Sequence, residues 1–186
     1  MRCFVAIDID DRLRKEIEKL QREFKRRLKN QAGIKWVGPE LIHLTLKFLG
    51  EVEDDRAEEI GQAIELVCAE HKSFELEFST VGSFGRPAKV LWLGGGKQNT
   101  ELEKLVQDIE EAFEELDFEK EQRPFSAHLT LARVKDDRIG KQIAEIAANF
   151  GTVDAGTIKV DAVCFYKSQL TSDGPVYTLL RKINFT

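Results

Sequence analysis

Two of the three histidines lie in the same tetrapeptide, His-Leu-Thr-Leu, at positions 43–46 and 128–131. Side chains alternate between the two faces of a β-strand, so the histidine and the threonine of each copy share one face and the leucines take the other. The leucines suit a hydrophobic core. We therefore expect His43 with Thr45, and His128 with Thr130, to line a polar surface, and to meet across a cleft if the two strands belong to facing lobes.

These side chains suit the hydrolysis of a cyclic phosphodiester. The reaction needs a base that takes a proton from water and an acid that protonates the departing sugar oxygen. Histidine, with an ordinary pKa of about 6.5, can do either near neutral pH. The threonine hydroxyls can donate hydrogen bonds to the nonbridging phosphate oxygens, where charge accumulates in the transition state. The pattern requires neither a metal nor a cofactor.

Other interpretations stay open for these residues. A histidine beside a threonine on one strand is more often a half-buried, hydrogen-bonded pair, but two such pairs at equivalent places favour a site. A two-histidine metal site lacks a third ligand at a recognisable spacing, so we predict no metal. His71, near the end of a helix among charged residues, is expected on the solvated surface.

Basic and aromatic residues near the two motifs are candidates for substrate contacts. Simple alternation puts Lys47 on the face of His43 and Thr45, where it can bind phosphate. Arg133 falls on the opposite face unless its strand ends or bulges near Ala132. Aromatic strand residues are more often core, although they could also stack on a nucleotide base; they are Phe48, Phe84, Trp92 and Phe125.

The order of predicted elements repeats. Hydrophobic spacing of three and four residues predicts amphipathic helices, over residues 10–29, 53–70, 99–116 and 136–149. Alternating or short apolar runs predict strands, over residues 2–7, 41–50, 74–81, 89–95, 123–134, 152–166 and 175–183. Phe4 precedes His43 by almost the same distance as Val90 precedes His128. We therefore predict a duplicated, bilobal α+β fold, with residues 1–186 forming a single domain of two pseudo-symmetric lobes. Two mainly antiparallel sheets should face a central cleft, with the helices outside.

Composition narrows the classes of protein that fit. With 28 basic and 33 acidic residues the net charge is −5, which argues against a general nucleic-acid coat protein, since any phosphate contact must come from a local basic site. No apolar run is long enough to span a bilayer. Three scattered cysteines fit neither a disulfide scaffold nor a metal site, so we expect a cytoplasmic protein. The glycines at positions 94–96 lack a Ser or Thr after Lys97, so no nucleoside triphosphate is expected.

The motifs closely resemble the two-histidine phosphoesterase superfamily, specifically its RNA 2′,3′-cyclic phosphodiesterase branch, historically called 2′-5′ RNA ligase. The matching segments are FVAIDI at the start, KWVGPELIHLTLKFLGEV in the first half, RPFSAHLTLARV in the second half and FYKSQLTSDGPVYTLL near the end. Together they run from Phe4 to Leu180. One departure is Ala127, where many relatives have proline, and it removes no chemical group.

The resemblance implies hydrolysis of a cyclic RNA end to a 2′-phosphate, together with weak, reversible joining of RNA ends through 2′-5′ bonds. By position, His43 matches the proton donor to the leaving 3′ oxygen and His128 the proton acceptor that activates water. Thr45 and Thr130 match phosphate-binding threonines, and Arg133 a basic residue after the second motif. The implied partners are RNA 3′ ends, tRNA-like or short oligonucleotides. We expect no membrane partner, and we expect a monomer because an internally duplicated chain can close its own cleft.

Two alternative functions remain at this point. A cleft of this kind can bind a nucleotide or an RNA end without turning it over, although binding needs positive charge more than a tunable acid–base pair. The enzyme can also act on a different cyclic ester, such as a small cyclic nucleotide or ADP-ribose 1″,2″-cyclic phosphate.

Overall fold

The structure is a computed structural model that describes residues 1–172 and 174–186. Asp173, which belongs to the segment FYKSQLTSDGPVYTLL, lies outside the described residues. The strands are β1 Arg2–Asp8, β2 Ile34–Trp36, β3 His43–Glu51, β4 Phe74–Phe84, β5 Val90–Gly94, β6 His128–Val134, β7 Thr152–Val160, β8 Ala162–Leu170 and β9 Pro175–Asn184. The helices are α1 Asp11–Arg27, α2 Ala57–Ala69, α3 Thr100–Glu114 and α4 Asp137–Ala148. Short 3₁₀ helices cover Pro39–Leu41 and Asp54–Arg56.

Three of the four helices begin at a residue whose side chain caps the first turn. The carboxylate of Asp10 accepts a hydrogen bond from the Leu13 amide at 2.7 Å, and the side chain of Asn99 accepts one from the Leu102 amide at 2.8 Å. Asp136 accepts bonds from the amides at the start of α4. Such caps satisfy amide groups that have no partner inside the helix, so the strand-to-helix turns are fixed locally.

The strands form two antiparallel sheets. Sheet A has the order β3-β1-β8-β9, and sheet B has the order β2-β6-β5-β4-β7. Helices α2 and α3 pack on sheet A, whereas α1 and α4 pack on sheet B. The buried side chains of both layers form one continuous cluster. The predicted α+β class, with two antiparallel sheets and helices outside, is confirmed.

The two halves of the sequence exchange strands and helices. Strand β4 follows the first motif along the chain, yet it lies in sheet B between β5 and β7. Sheet A is completed by β8 and β9 from the end of the chain. Helix α1 follows a strand of sheet A and covers sheet B, while α3 follows a strand of sheet B and covers sheet A. Each half of the sequence therefore contributes to both sheets.

The single strand predicted over residues 152–166 is wrong, because this segment holds two strands. β7 ends at Val160 and β8 begins at Ala162, with Asp161 between them outside any strand. β7 pairs with β4 at the edge of sheet B, and β8 pairs with β1 inside sheet A. The residue types on both sides favour strand equally, so only the tertiary fold determines the break.

None of the helices in the described ranges is long and apolar enough to cross a membrane.

Candidate active site

The two His-Leu-Thr-Leu segments begin β3 and β6, and both strands bulge at the same point. In β3, Lys47 lies opposite Val5 but Thr45 lies opposite Ala6, so Leu46 is the extra residue. In β6, Ala132 lies opposite Leu91 but Thr130 lies opposite Trp92, so Leu131 is the extra residue. A bulge reverses the alternation of side chains beyond it. Where the two sheets meet, β3 and β6 approach each other to within 8 Å between Cα atoms.

Both histidines are held in the same orientation by a backbone carbonyl oxygen two residues before them in the chain. The Nδ1 of His43 lies 2.9 Å from the Leu41 carbonyl oxygen, and the Nδ1 of His128 lies 2.8 Å from the Ser126 carbonyl oxygen. A carbonyl oxygen can only accept, so Nδ1 carries the hydrogen in both rings. Each Nε2 is left without a partner in the described part of the chain. The two rings thus present the same nitrogen for proton transfer.

The threonines and Arg133 join this face. Thr45 and Thr130 are half-buried beside their histidines, and neither hydroxyl makes a hydrogen bond within the described ranges. The bulge at Leu131 turns Arg133 onto the face of His128, where it is exposed. The positive charge of Arg133 opposes the rise that burial causes in the pKa of Tyr177, which belongs to sheet A. Arg133 therefore lies on the cleft face of sheet B.

The prediction that Lys47 binds phosphate is wrong. The bulge at Leu46 turns Lys47 away from His43, toward the helices, where only 5% of the residue is exposed. Its Nζ donates to Glu110 of α3 at 2.5 Å and to the Glu119 carbonyl oxygen at 2.9 Å. Phe48 takes the place on the cleft face that simple alternation gave to Lys47, and it is 65% exposed. The expectation that Phe48 is a core residue is wrong for the same reason.

Aromatic side chains surround His43. Phe4 stacks on its ring with centroids 4.6 Å apart, and Tyr177 meets it edge-on at 5.2 Å. Burial lowers the pKa of His43, whereas the Leu41 carbonyl and the negative charge of Asp8 act in the opposite direction. Asp8 is the cross-strand partner of His43, and its carboxylate accepts a hydrogen bond from the Tyr166 hydroxyl at 2.8 Å.

Two aromatic side chains of sheet B, Phe84 and Trp92, lie near His128. Phe84 meets the His128 ring edge-on at 5.0 Å and contacts Trp92 at 5.2 Å. The indole lies over the sheet because its neighbours are glycines: a Cβ on Gly82 would come within 2.2 Å of the indole, and one on Gly94 within 2.9 Å. The indole Nε1 is buried without a hydrogen-bond partner among the described residues.

The pseudo-symmetry reveals a difference that single-strand patterns did not predict. Asp8 lies opposite His43 on the neighbouring strand, and Gly94 takes the equivalent position opposite His128. A carboxylate therefore lies in the cross-strand position of one imidazole, and a residue without a side chain lies in that of the other. The involvement of Asp8 depends on cross-strand pairing, so only its place in FVAIDI, at the end of the first strand, could have drawn attention to it.

The predicted surface position of His71 is wrong. The residue is 7% exposed, and its Nε2 lies 2.8 Å from an oxygen of Asp108 on α3. It connects the end of α2 to the neighbouring helix on the outer layer of sheet A, away from the two motifs. Within residues 1–172 and 174–186, no three His, Cys, Asp or Glu side chains are grouped so that they could hold a metal ion.

A model of the 2'-5' RNA ligase superfamily matches residues 9–171. The chain belongs to this superfamily. The relatives include proteins named RNA 2',3'-cyclic phosphodiesterase from Archaeoglobus fulgidus and Methanocaldococcus jannaschii. The first is 34% identical over 97% of this chain and 98% of its own length, and the second is 33% identical over 98% and 99%. The resemblance inferred from the motifs is confirmed at the level of the family.

Solved structures with the same fold cover the whole chain. The Thermus thermophilus protein TT0787 is 24% identical, with a TM-score of 0.81 over 100% of this chain and 98% of its own. Escherichia coli LigT in complex with 3'-AMP is also 24% identical, with a TM-score of 0.77 over 100% and 98%. At this identity the likeness concerns the fold.

Proposed function

We propose that this protein hydrolyses the 2′,3′-cyclic phosphate at an RNA end to a 2′-phosphate, with His43 as proton donor and His128 as proton acceptor. The observation that carries the proposal is the matched presentation of two imidazoles, each with Nδ1 bound to a carbonyl oxygen and with Nε2 unpartnered among the described residues. The names of the relatives, RNA 2',3'-cyclic phosphodiesterase, support the same activity.

In the proposed step, neutral His128 takes a proton from water as the water oxygen bonds to phosphorus. The bond from phosphorus to the 3′ oxygen breaks on the opposite side, and protonated His43 gives its proton to that oxygen. The hydroxyls of Thr45 and Thr130 and the guanidinium of Arg133 are the groups available for the nonbridging oxygens. The 2′ oxygen keeps the phosphate.

The cross-strand partners support this division of labour. Burial lowers the pKa of His43 and so favours its neutral form, which an acid cannot use. The carboxylate of Asp8 offsets part of that effect. His128, opposite Gly94, has no such neighbour, which suits a group that must be neutral before the reaction. We also propose that a 5′-hydroxyl of RNA can replace water, which gives the weak 2′-5′ joining. The predicted cytoplasmic location, the monomeric state and the lack of a cofactor are parts of the same proposal.

The test is product analysis with a short RNA that ends in a 2′,3′-cyclic phosphate, in the presence of EDTA. We expect a 2′-phosphate and undiminished turnover, because the two imidazoles perform both proton transfers. Loss of turnover with EDTA and recovery with added zinc or magnesium would contradict the metal-free mechanism. A 3′-phosphate product would contradict the assigned leaving group.

Variants at the two motifs provide the controls. His43→Ala and His128→Ala should each nearly abolish turnover. The double variant should be little worse than either one, because both groups act in one transition state. His71→Ala removes a histidine outside the cleft, and turnover per folded molecule should persist. Binding of the RNA without turnover by the parent protein would favour the non-catalytic alternative.

A further inference from the structure

An exposed apolar surface on sheet A has no part in the hydrolysis step. Four residues form one cross-strand row on the cleft face, here called the apolar row: Phe48, Phe4, Tyr166 and Leu179. The central Phe4 is buried under its neighbours, but Phe48 is 65% exposed and Leu179 is 47% exposed. The row begins beside the catalytic cleft, since the Phe4 ring stacks on His43.

The exposure of Phe48 has no explanation in packing. Its ring contacts Phe4 at a centroid separation of 6.2 Å, and most of the side chain faces solvent. The bulge at Leu46 puts it there, at the position equivalent to Arg133 in the other sheet. Together with Leu179 in the same row, Phe48 makes an exposed apolar patch beside the cleft, and such a patch indicates contact with a partner.

Unpaired cations accompany the apolar row. Arg2, on the same face of β1, and Arg133, from sheet B, both act electrostatically on Tyr177. Lys182 lies beside the row on β9, opposite Cys164. None of these three forms an ion pair in the described part of the chain, and Glu51, opposite Arg2, lies 3.7 Å from the N-terminal amine. Flat apolar groups with cations at the margin match bases and phosphates, and an apolar peptide would leave the charges unmatched.

We propose that the RNA strand leading to the cyclic end lies over the apolar row, with a base upstream of the terminal nucleotide stacked on Phe48. The inference rests on the proposed function. In an in-line displacement the departing 3′ oxygen, and therefore its sugar, lies on the side of the acid His43, which belongs to sheet A. The rest of the strand continues from that sugar. The preferred substrate is then an oligonucleotide and not a mononucleoside 2′,3′-cyclic phosphate.

The experiment compares kcat/KM for a short single-stranded RNA ending in a cyclic phosphate with kcat/KM for adenosine 2′,3′-cyclic phosphate. The parent protein should prefer the RNA. In Phe48→Ala this preference should fall about ten-fold, within the range expected for one lost stacking contact, and Phe48→Trp should restore it. Leu66→Ala is the matched control, because Leu66 is 75% exposed on α2, away from the cleft. The Leu66→Ala variant should prefer the RNA by the same factor as the parent.

An equal preference in the parent and in Phe48→Ala would overturn the proposal, as would a parent without any preference. A Phe48→Ala variant that changes the protein from dimer to monomer would assign the surface to self-association and would also overturn it. A binding measurement distinguishes failure of this proposal from failure of the proposed hydrolysis. If neither substrate is cleaved, the affinity for a fluorescent RNA ending in 2′-phosphate still decides: a loss in Phe48→Ala supports the surface, and equal affinity refutes it.

Discussion

The imidazoles of His43 and His128 are presented alike but have different cross-strand neighbours. His43 faces the carboxylate of Asp8, which is fixed by the Tyr166 hydroxyl, whereas His128 faces a glycine. A nearby negative charge stabilises an imidazolium, and its removal lowers the pKa. In the proposed mechanism Asp8 is therefore a positioning residue that acts through His43.

We predict that Asp8→Asn lowers kcat/KM by about three- to ten-fold near pH 8, and that the difference from the parent shrinks as the pH falls. The substitution removes the charge but keeps an oxygen for the Tyr166 hydroxyl. It lowers the pKa of His43 further, so a smaller fraction of the acid is protonated at high pH. As the pH falls, the protonated fraction of His43 rises in both proteins and the rates converge. A pH profile of kcat/KM is the measurement.

Asp154→Asn, on an exposed strand position of sheet B, serves as the control and should follow the parent profile. The opposite pattern in Asp8→Asn, a higher rate at low pH with no change at high pH, would mean that His43 must be neutral to act. The assigned roles of the two histidines would then be exchanged.

Simple alternation predicted the face that the histidines and threonines share, and it gave the wrong face for residues farther along each strand. The histidines and threonines were predictable because they come before the bulge in each strand, where alternation holds. Lys47 and Phe48 come after it, so the faces assigned by alternation were reversed. The same irregularity brought Arg133 onto the cleft face. A single strand sequence does not show an extra residue, because a bulge exists only relative to a partner strand.

At the scale of elements, the bulge in β6 is held by helix α1. Gln21 is 4% exposed, and its Nε2 donates to the carbonyl oxygens of Val37 at 2.8 Å and of Leu131 at 3.0 Å. Leu131 is the extra residue, and its carbonyl also accepts from the Val37 amide. The helix thus fixes the point at which the strand changes face.

We predict that Gln21→Met, which keeps the volume and removes the donor, lowers the free energy of unfolding by about 1–3 kcal/mol. It should also raise KM, since Arg133 depends on the bulge for its position. Gln62→Met on the exposed face of α2 is the control, and it should change neither quantity. Urea denaturation and steady-state kinetics measure the two effects. An unchanged KM in a destabilised Gln21→Met variant would show that Gln21 stabilises the fold without affecting substrate binding.

The corrected position of Lys47 gives a second prediction about how the elements join. Lys47→Met leaves Glu110 and the Glu119 carbonyl without their cation, so the free energy of unfolding should fall by about 3 kcal/mol. Turnover per folded molecule should stay near that of the parent. Lys104→Met breaks a more exposed pair with Asp108 and should cost less than about 1 kcal/mol. A large loss of turnover in folded Lys47→Met would restore the phosphate-binding role.

The elements were predictable where their signals were local. Amphipathic spacing gave the four helices, and the repeated order gave the duplicated plan. Membership of the sheets was not predictable, because β4, β8 and β9 satisfy the same pattern in either sheet. Their places follow from long-range packing, which no window of sequence contains.

On the scale of the whole molecule, the net charge of −5 restricts how RNA can be bound. In the proposed complex the phosphates meet three cations, Arg2, Arg133 and Lys182, so few counterions are released on binding. We predict that log(kcat/KM) for a short RNA falls with log(salt) with a slope of about −2, as expected for roughly three phosphate contacts on a single strand. A slope twice as steep would require a basic surface elsewhere.

The exchange of strands between the sequence halves sets the order in which the molecule can be assembled during synthesis. Sheet A needs β8 and β9, which end at Asn184, to pair with β1 and its neighbours from the beginning of the chain. Before β8 and β9 have been made, His43 lies on a two-stranded ribbon, and the sheet that carries it is unfinished. The nascent chain therefore acquires its cleft only after these two strands have emerged. A chain stopped at Asp161 should show no turnover, and adding residues 162–186 as a separate peptide should restore it if the missing strands are the cause.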